Sequence, residues 1–377
     1  MRRAAGALLL AALLAACSGG SDPGPDPGGT PTTTAESPSA SPSGSPTATG
    51  SPRDQGPPRV VDTVATGLEV PWGIGFLPGG DAVVTERDSA RVLRLDPATG
   101  RTRELGVLDQ VMPTSEGGLL GVAVSPEFAE DRRLFFYLTT AEDNRIVSAE
   151  LRGGSLEALT DVLTGIPVGQ NHDGGRLAFG PDGFLYASTG EVYEPERSQD
   201  RDDLGGKILR MTPEGAPAPG NPFDSVVWSW GHRNVQGLAW VGDQLWASEF
   251  GANEWDELNR IEAGANYGWP EVEGMGGGPD YVDPQRVWGT GEASPSGLAY
   301  ADGALWMAAL QGDRLWRIPV DAESRRTGRP ADFLVGDHGR LRTVVVAPDG
   351  NLWVTTSNHD GRGSPKEGDD RILVVRP

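Results

Sequence analysis

The chain has 377 residues, a formal net charge of -21 and one cysteine. A field of that sign argues against nucleic acid or an anionic membrane face as the main partner. A lone thiol excludes an internal disulfide, so a folded domain here is stabilised by packing. Ordinary solubility of an exported acidic protein accounts for the charge equally well.

Residues 1–16 carry two arginines followed by an Ala/Leu-rich run too short to span a bilayer, which predicts a secretory signal peptide. The run Leu14-Ala15-Ala16-Cys17 resembles the lipobox of bacterial lipoproteins, and that resemblance implies lipidation of Cys17 after cleavage. The chain is then expected on the outer face of the bacterial cell membrane, held by its lipid anchor alone. Residues 17–56 are almost entirely Ser, Pro, Thr, Gly, Ala and Asp, a composition that cannot bury a core and predicts a disordered tether. Residues 57–377 remain, enough for one large core.

That remainder lacks long helical periodicity. Short apolar runs rich in Val, Leu, Trp and Phe recur between clusters of Gly, Pro, Asp and Asn, as in an all-β protein. A Gly- or Asp-bearing turn followed by an apolar pair appears six times, and Val83, Phe135, Leu185, Leu245, Leu305 and Leu352 mark the copies at intervals of 52, 50, 60, 60 and 47 by subtraction of their positions. Each interval fits one four-stranded antiparallel blade, so the repeat predicts a six-bladed β-propeller. Partner strands begin at Arg91, Arg145, Arg314 and Arg371, and the last can pair with Val60-Val61-Asp62-Thr63-Val64 to close the ring and remove a free edge. Most of the eleven tryptophans fall in or beside these strands, which assigns them to packing between blades.

Chemistry is then expected in polar loops at the channel mouth. His172 lies in Asn171-His172-Asp173-Gly174-Gly175-Arg176, just ahead of the turn Gly180-Pro181-Asp182-Gly183 and the strand beginning at Phe184. Other such loops hold Glu116-Gly117-Gly118, Gly231-His232-Arg233-Asn234 and His338-Gly339-Arg340-Leu341-Arg342. Arg340 and Arg342 alternate on a strand-like segment and point the same way. Paired guanidinium groups repel unless they serve an anion, for which the planar fork of arginine is suited, or meet carboxylates of a neighbouring blade. The loop from Glu249 to Glu257 carries four carboxylates, which suits calcium or a solvated acidic face. No zinc pattern, nucleophile elbow or phosphate-binding glycine loop is present.

These loops, together with Pro71-Trp72-Gly73 and Gly264-Ala265-Asn266-Tyr267-Gly268-Trp269-Pro270, resemble the soluble pyrroloquinoline quinone (PQQ)-dependent glucose/sorbosone dehydrogenase family, which includes the aldose sugar dehydrogenases. The resemblance spans about Asp62 to Val375 and implies a six-bladed propeller that oxidises an aldose at C1 to a lactone with PQQ and calcium. It casts His172 as the general base that takes the hydroxyl proton while hydride passes to the quinone, and Glu191 as the acid that orients it. Glu116, Arg233, Asn234, Gln311, Arg340 and Arg342 fall at cofactor-contacting positions. Gly251 and Ala252 fall where backbone carbonyls hold the cofactor's calcium.

Two positions depart from the family pattern. Glu116 stands where some members have glutamine, a change common in the aldose branch, and Gln311 stands where a cofactor-contacting lysine is found. Loss of that cation predicts weaker PQQ binding. The alternatives are a propeller that binds carbohydrate or protein without catalysis, and a calcium-dependent lactonase whose side-chain ligands would converge in the channel. The substrate is expected to be a small sugar; the electron acceptor is left open.

Overall fold

The computed structural model describes residues 57–377; the signal segment, Cys17 and the tether lie outside the described residues. Six sheets of four antiparallel strands follow one another along the chain. Blade 1 comprises Pro71–Phe76, Ala82–Glu86, Arg91–Leu95 and Thr102–Val107, and blade 2 Leu119–Val124, Arg133–Thr139, Asn144–Arg152 and Ser155–Ile166. Blade 3 comprises Leu177–Phe179, Leu185–Ser188, Lys207–Met211 and Val227–Trp230, and blade 4 Val235–Val241, Gln244–Glu249, Trp255–Arg260 and Arg286–Gly289. Blade 5 comprises Pro295–Ala301, Ala304–Ala309, Arg314–Pro319 and Ala331–Phe333. Blade 6 is built from both ends of the described chain: Leu341–Val346, Leu352–Thr356 and Ile372–Arg376 carry Arg59–Ala65 as the outermost strand.

The repeat seen in the sequence is the second strand of every blade. The two longest intervals contain extra loop rather than extra strand, with short 3-10 turns at Pro195–Gln199 and Gly278–Asp280. Closure takes the expected form. Val60 pairs with Val375 and Thr63 with Leu373, so the strand that would otherwise be a free edge is covered.

Six buried apolar clusters stabilise the ring, one at each junction between blades. Trp246 and Trp288 of blade 4 pack with Leu298, Leu305 and Met307 of blade 5, and Trp306 of blade 5 packs with Leu341 and Val354 of blade 6. At the axis the innermost strands come too close for a side chain at certain positions. A Cβ on Gly121 would lie 2.3 Å from the Gly175 carbonyl oxygen, and one on Gly237 would lie 2.3 Å from that of Ser296. Glycine there lets neighbouring blades touch backbone to backbone.

A polar layer crosses the channel beside these glycines. Arg176 stacks on Trp72 at 4.2 Å and donates through Nε to the Gln236 carbonyl, while Gln236 Oε1 accepts from Ser296 and Arg342. On the side towards the ends of the innermost strands, Ile74, Val122, Leu238, Leu298 and Val344, together with Arg176, line a cavity of about 290 Å³. On the other side, where those strands begin, the polar loops gather.

Candidate active site

The loops that enter the innermost strands, and those between second and third strands, emerge at one end of the propeller. The topology therefore delivers Glu116, His172, Arg233, Asn234 and Arg340 to the same end, with Arg342 one residue into its strand. Glu191, Gly251, Ala252 and Gln311 reach that end by following the second strands of blades 3, 4 and 5.

His172 is 5 % exposed, so this loop histidine is no surface residue. Its backbone sits in the left-handed region at φ 62, a conformation that needs outside support in a non-glycine residue. Glu116 supplies part of it: Oε2 accepts the His172 amide at 3.0 Å. Gly174 adds more by donating its amide to Asn234 Oδ1 at 3.1 Å, so the Asn234 side chain fixes the loop that carries the imidazole. His172 Nδ1 lies 2.5 Å from Glu191 Oε1, and Nε2 lies 3.0 Å from Arg233 Nη2. A guanidinium can only donate. Nε2 is therefore the acceptor and Nδ1–H the donor to Glu191, the tautomer that leaves Nε2 as the basic nitrogen.

The cations come next. Arg340 and Arg342 are 6 % and 3 % exposed and share one carboxylate, Asp360 Oδ2, at 2.9 and 3.4 Å. The sequence suggested a carboxylate from a neighbouring blade as the alternative to an anion; the partner instead comes from the loop before Ile372–Arg376 of the same blade. Two guanidinium groups on one carboxylate leave a net positive charge. Burial is the largest cause holding Arg342 down to about 10, offset in part by Asp360. Burial also raises Asp360, but Arg342 and Arg340 outweigh it and hold the carboxyl below its ordinary range. Arg342 feels the charge of Glu116, which places the arginine pair and the His172 support in one electrostatic neighbourhood.

Arg233 joins the histidine to the loop after Gln244–Glu249. Besides His172, its Nη1 donates to the carbonyls of Gly251 at 2.6 Å and Phe250 at 3.3 Å, and its guanidinium lies over Trp269 at 5.4 Å. The Gly251 carbonyl thus faces a cation. A Cβ on Gly251 would lie 1.9 Å from the Trp255 carbonyl oxygen, so only glycine lets the loop turn there. Glu273 Oε1 accepts the amides of Ala252, Asn253, Glu254 and Trp255 and fixes the tip. The solvated acidic face expected as one reading of this loop is not what forms. Glu249, Asp256 and Glu257 are buried, and Asn259 Nδ2 bridges Glu249 and Glu257. Burial pushes Glu257 up to about 8, with the Glu249 charge adding to it, and burial pushes Asp256 up to about 6. Among the described residues no three His, Cys, Asp or Glu side chains are grouped to hold a metal ion.

Gln311 sits exposed at the turn between the second and third strands of blade 5 and makes none of the site's hydrogen bonds. Residues the sequence did not single out complete the site. Tyr193 tilts its ring over His172 at 4.1 Å and is 62 % exposed, and it and the preceding Val192 both have left-handed backbone, at φ 64 and 52. Asp173 accepts from Asn144 at 2.9 Å and Gly169 at 3.2 Å behind the histidine. Arg362 pairs with Glu116 at 2.6 Å from the loop that also holds Asp360. Only Asp173 lay inside a motif already noticed.

A closed ring of six blades with a buried acid–histidine–arginine relay at one mouth defines an enzyme-like propeller rather than a plain scaffold. The glucose/sorbosone dehydrogenase family pattern matches residues 68–372, and the chain belongs to that family. The PQQ-bound aldose sugar dehydrogenase of Streptomyces coelicolor is 55% identical, with a TM-score of 0.84 over 86% of this chain and 99% of its own. A putative oxidoreductase (glucose dehydrogenase) of Thermus thermophilus is 45% identical, with a TM-score of 0.80 over 85% of this chain and 100% of its own. The aldose sugar dehydrogenase YliI of Escherichia coli is 30% identical over 342 residues, covering 80% of this chain and 91% of that protein.

Proposed function

We propose that the protein oxidises an aldose sugar at C1 to the lactone, using PQQ and calcium held at this mouth. The observation that carries the reading is the relay Glu191–His172–Arg233, in which a buried carboxylate fixes the tautomer of an imidazole whose second nitrogen points at a cation-lined space.

The residues present fit the cofactor. PQQ is a tricarboxylate, and Arg340 and Arg342 carry more positive charge than Asp360 alone neutralises. The Gly251 carbonyl already meets a cationic group in Arg233, which suits calcium beside Ala252. When bound, PQQ supplies the two-electron acceptor that takes the C1 hydride, and calcium polarises it. His172 Nε2 accepts the C1 hydroxyl proton after Arg233 has turned to an anionic group. Glu191 then stabilises the imidazolium through Nδ1. Asn234 and Glu116 hold the loop so that the imidazole keeps its place. The lactonase alternative asks for convergent carboxylate and amide side-chain ligands in the channel, and among the described residues no three His, Cys, Asp or Glu side chains are grouped to supply the charged part of such a set.

Titration of the purified protein with PQQ and calcium, followed by cofactor absorbance and by dye reduction over an aldose panel, tests the reading. Saturable PQQ binding with aldose-dependent dye reduction supports it, and no saturable binding overturns it. Gln311→Lys is expected to tighten PQQ binding. Attachment through lipidated Cys17 to the outer membrane face belongs to the same proposal. It rests on the motif at residues 14–17 and is checked by mass spectrometry of the mature N-terminus.

A further inference from the structure

Arg362 reaches the mouth from the loop between Leu352–Thr356 and Ile372–Arg376, and its partners belong to loops entering two other blades. Nη1 donates to Glu116 Oε1 at 2.6 Å; Nη2 donates to Asn171 Oδ1 at 2.6 Å and to Ser115 Oγ at 3.3 Å. One side chain therefore ties blade 6 to the entrances of blades 2 and 3. Glu116 is held between two donors, since its other oxygen takes the His172 amide. Arg362 remains 45 % exposed while the Glu116 side chain is 15 % exposed, so the guanidinium forms the solvent-facing side of the pair.

This carboxylate needs explaining. Glu116 supports the left-handed backbone of His172, yet an ionised carboxylate beside Arg342 subtracts from the positive charge the mouth offers an anion. Arg362 cancels that charge without taking Glu116 from the His172 amide. A guanidinium has five N–H donors, and the contacts above leave Nε–H without a partner among the described residues and spare capacity on the fork. An isolated exposed ion pair is worth little. Here two short bonds and a third neighbour hold the guanidinium in one place, which lowers the entropy lost when it meets a ligand.

We infer that Arg362 is a binding and positioning residue of the mouth: it neutralises Glu116 so that His172 is held without repelling an anionic cofactor, and it presents its free N–H groups to a carboxylate of that cofactor. This rests on the PQQ reading above. Its consequence is distinct, because affinity for a polycarboxylate is set partly from a loop outside the motifs that carry the family resemblance.

The test is equilibrium binding of PQQ in the presence of calcium, read by quenching of tryptophan fluorescence at several salt concentrations. Wild type, Arg362→Gln, Arg362→Lys and the double variant Glu116→Gln/Arg362→Gln are compared, with circular dichroism and Tm reporting folding. Arg362→Gln is expected to weaken PQQ about 10- to 100-fold, the range for losing a charged hydrogen bond, and to flatten the salt dependence. Arg362→Lys keeps the charge that neutralises Glu116 but has no spare donor once the three protein contacts are made, so it is expected to lie between wild type and Arg362→Gln. The double variant is expected to regain part of the loss, because the unpaired carboxylate is gone. Folded Arg362→Gln with wild-type affinity and salt slope overturns the inference while leaving the PQQ reading intact. If Arg362→Gln does not fold, a double variant that folds and binds as wild type overturns it equally. Failure of wild type to bind PQQ overturns both.

Discussion

Arg233 donates to the one nitrogen of His172 that could act as a base, at 3.0 Å, while Glu191 holds the other at 2.5 Å. The imidazole is oriented and capped at once, and the cap is a cation that also reaches the Gly251 carbonyl. On the function proposed above, an anionic cofactor arriving at the mouth would compete for that guanidinium and free the nitrogen, so that cofactor binding and exposure of the base would be one event.

His172→Gln is expected to lower kcat by about 10²- to 10⁴-fold, the usual contribution of a positioned general base, with PQQ affinity changed far less. Glu191→Gln keeps the shape but loses the charge that stabilises the imidazolium, so its expected loss is smaller and falls on kcat. Steady-state dye reduction beside PQQ titration separates the two effects. Equal loss of kcat and cofactor affinity in His172→Gln would show that the histidine only shapes the pocket.

Asp173 makes stability depend on pH. Burial pushes its carboxyl from 3.8 up to about 6, and among the described residues its Oδ2 has no hydrogen-bond partner. Because the folded state binds the proton more tightly than the unfolded chain, this residue's contribution is favourable at low pH. It is lost as pH rises from about 4 to about 6. Asp173→Asn keeps an acceptor for Asn144 and Gly169 and is expected to raise stability above pH 7 by up to about 3 kcal/mol, the size of a two-unit shift. Thermal melts from pH 4.5 to 8 check it; parallel curves for both proteins would refute the assignment.

Gly237→Ala places a Cβ 2.2 Å from Ser248 Oγ and 2.3 Å from the Ser296 carbonyl oxygen. The backbone cannot yield without parting blades 4 and 5, so a loss of about 1–3 kcal/mol is expected from overpacking. Urea denaturation measures it, and an unchanged midpoint would mean that the innermost strands slide freely.

Removing Arg59–Ala65 exposes the ladder edge of Ile372–Arg376 and uncovers the cluster to which Val64 and Ala65 contribute. The expected cost is at least about 2 kcal/mol from apolar burial alone, with concentration-dependent association through the bared edge. Light scattering and thermal melts read the two effects separately.

The blades were legible because the second strand of each announces itself locally, through a turn residue and an apolar pair that recur once per blade. Ring closure was legible for the same reason, since an unmatched strand at each end of the domain has one place to go. His172, Arg233, Arg340 and Arg342 were visible because they stand in compact motifs. Asp360, Arg362 and Tyr193 were not. Their loops show no periodicity, and Arg362 meets Glu116 only because the closed ring brings blade 6 round to the entrance of blade 2, a proximity no local pattern encodes. The shared Asp360 was missed because a strand-to-strand loop of the same blade folds back over its own arginines. The burial of Glu249, Asp256 and Glu257 ran against composition, since a run of carboxylates ordinarily reads as solvated until amides and an asparagine are found pointing at them.

Val60 and Val375 stand opposite each other in one blade. During synthesis the first waits exposed until the second has been made, so the last junction forms only after Ile372–Arg376 has emerged. Contacts of such long sequence separation are slow to form, and an incomplete blade offers unpaired edges to other chains meanwhile. Truncation from the carboxyl end is therefore more damaging than the few residues lost suggest: it leaves a ring that was never sealed.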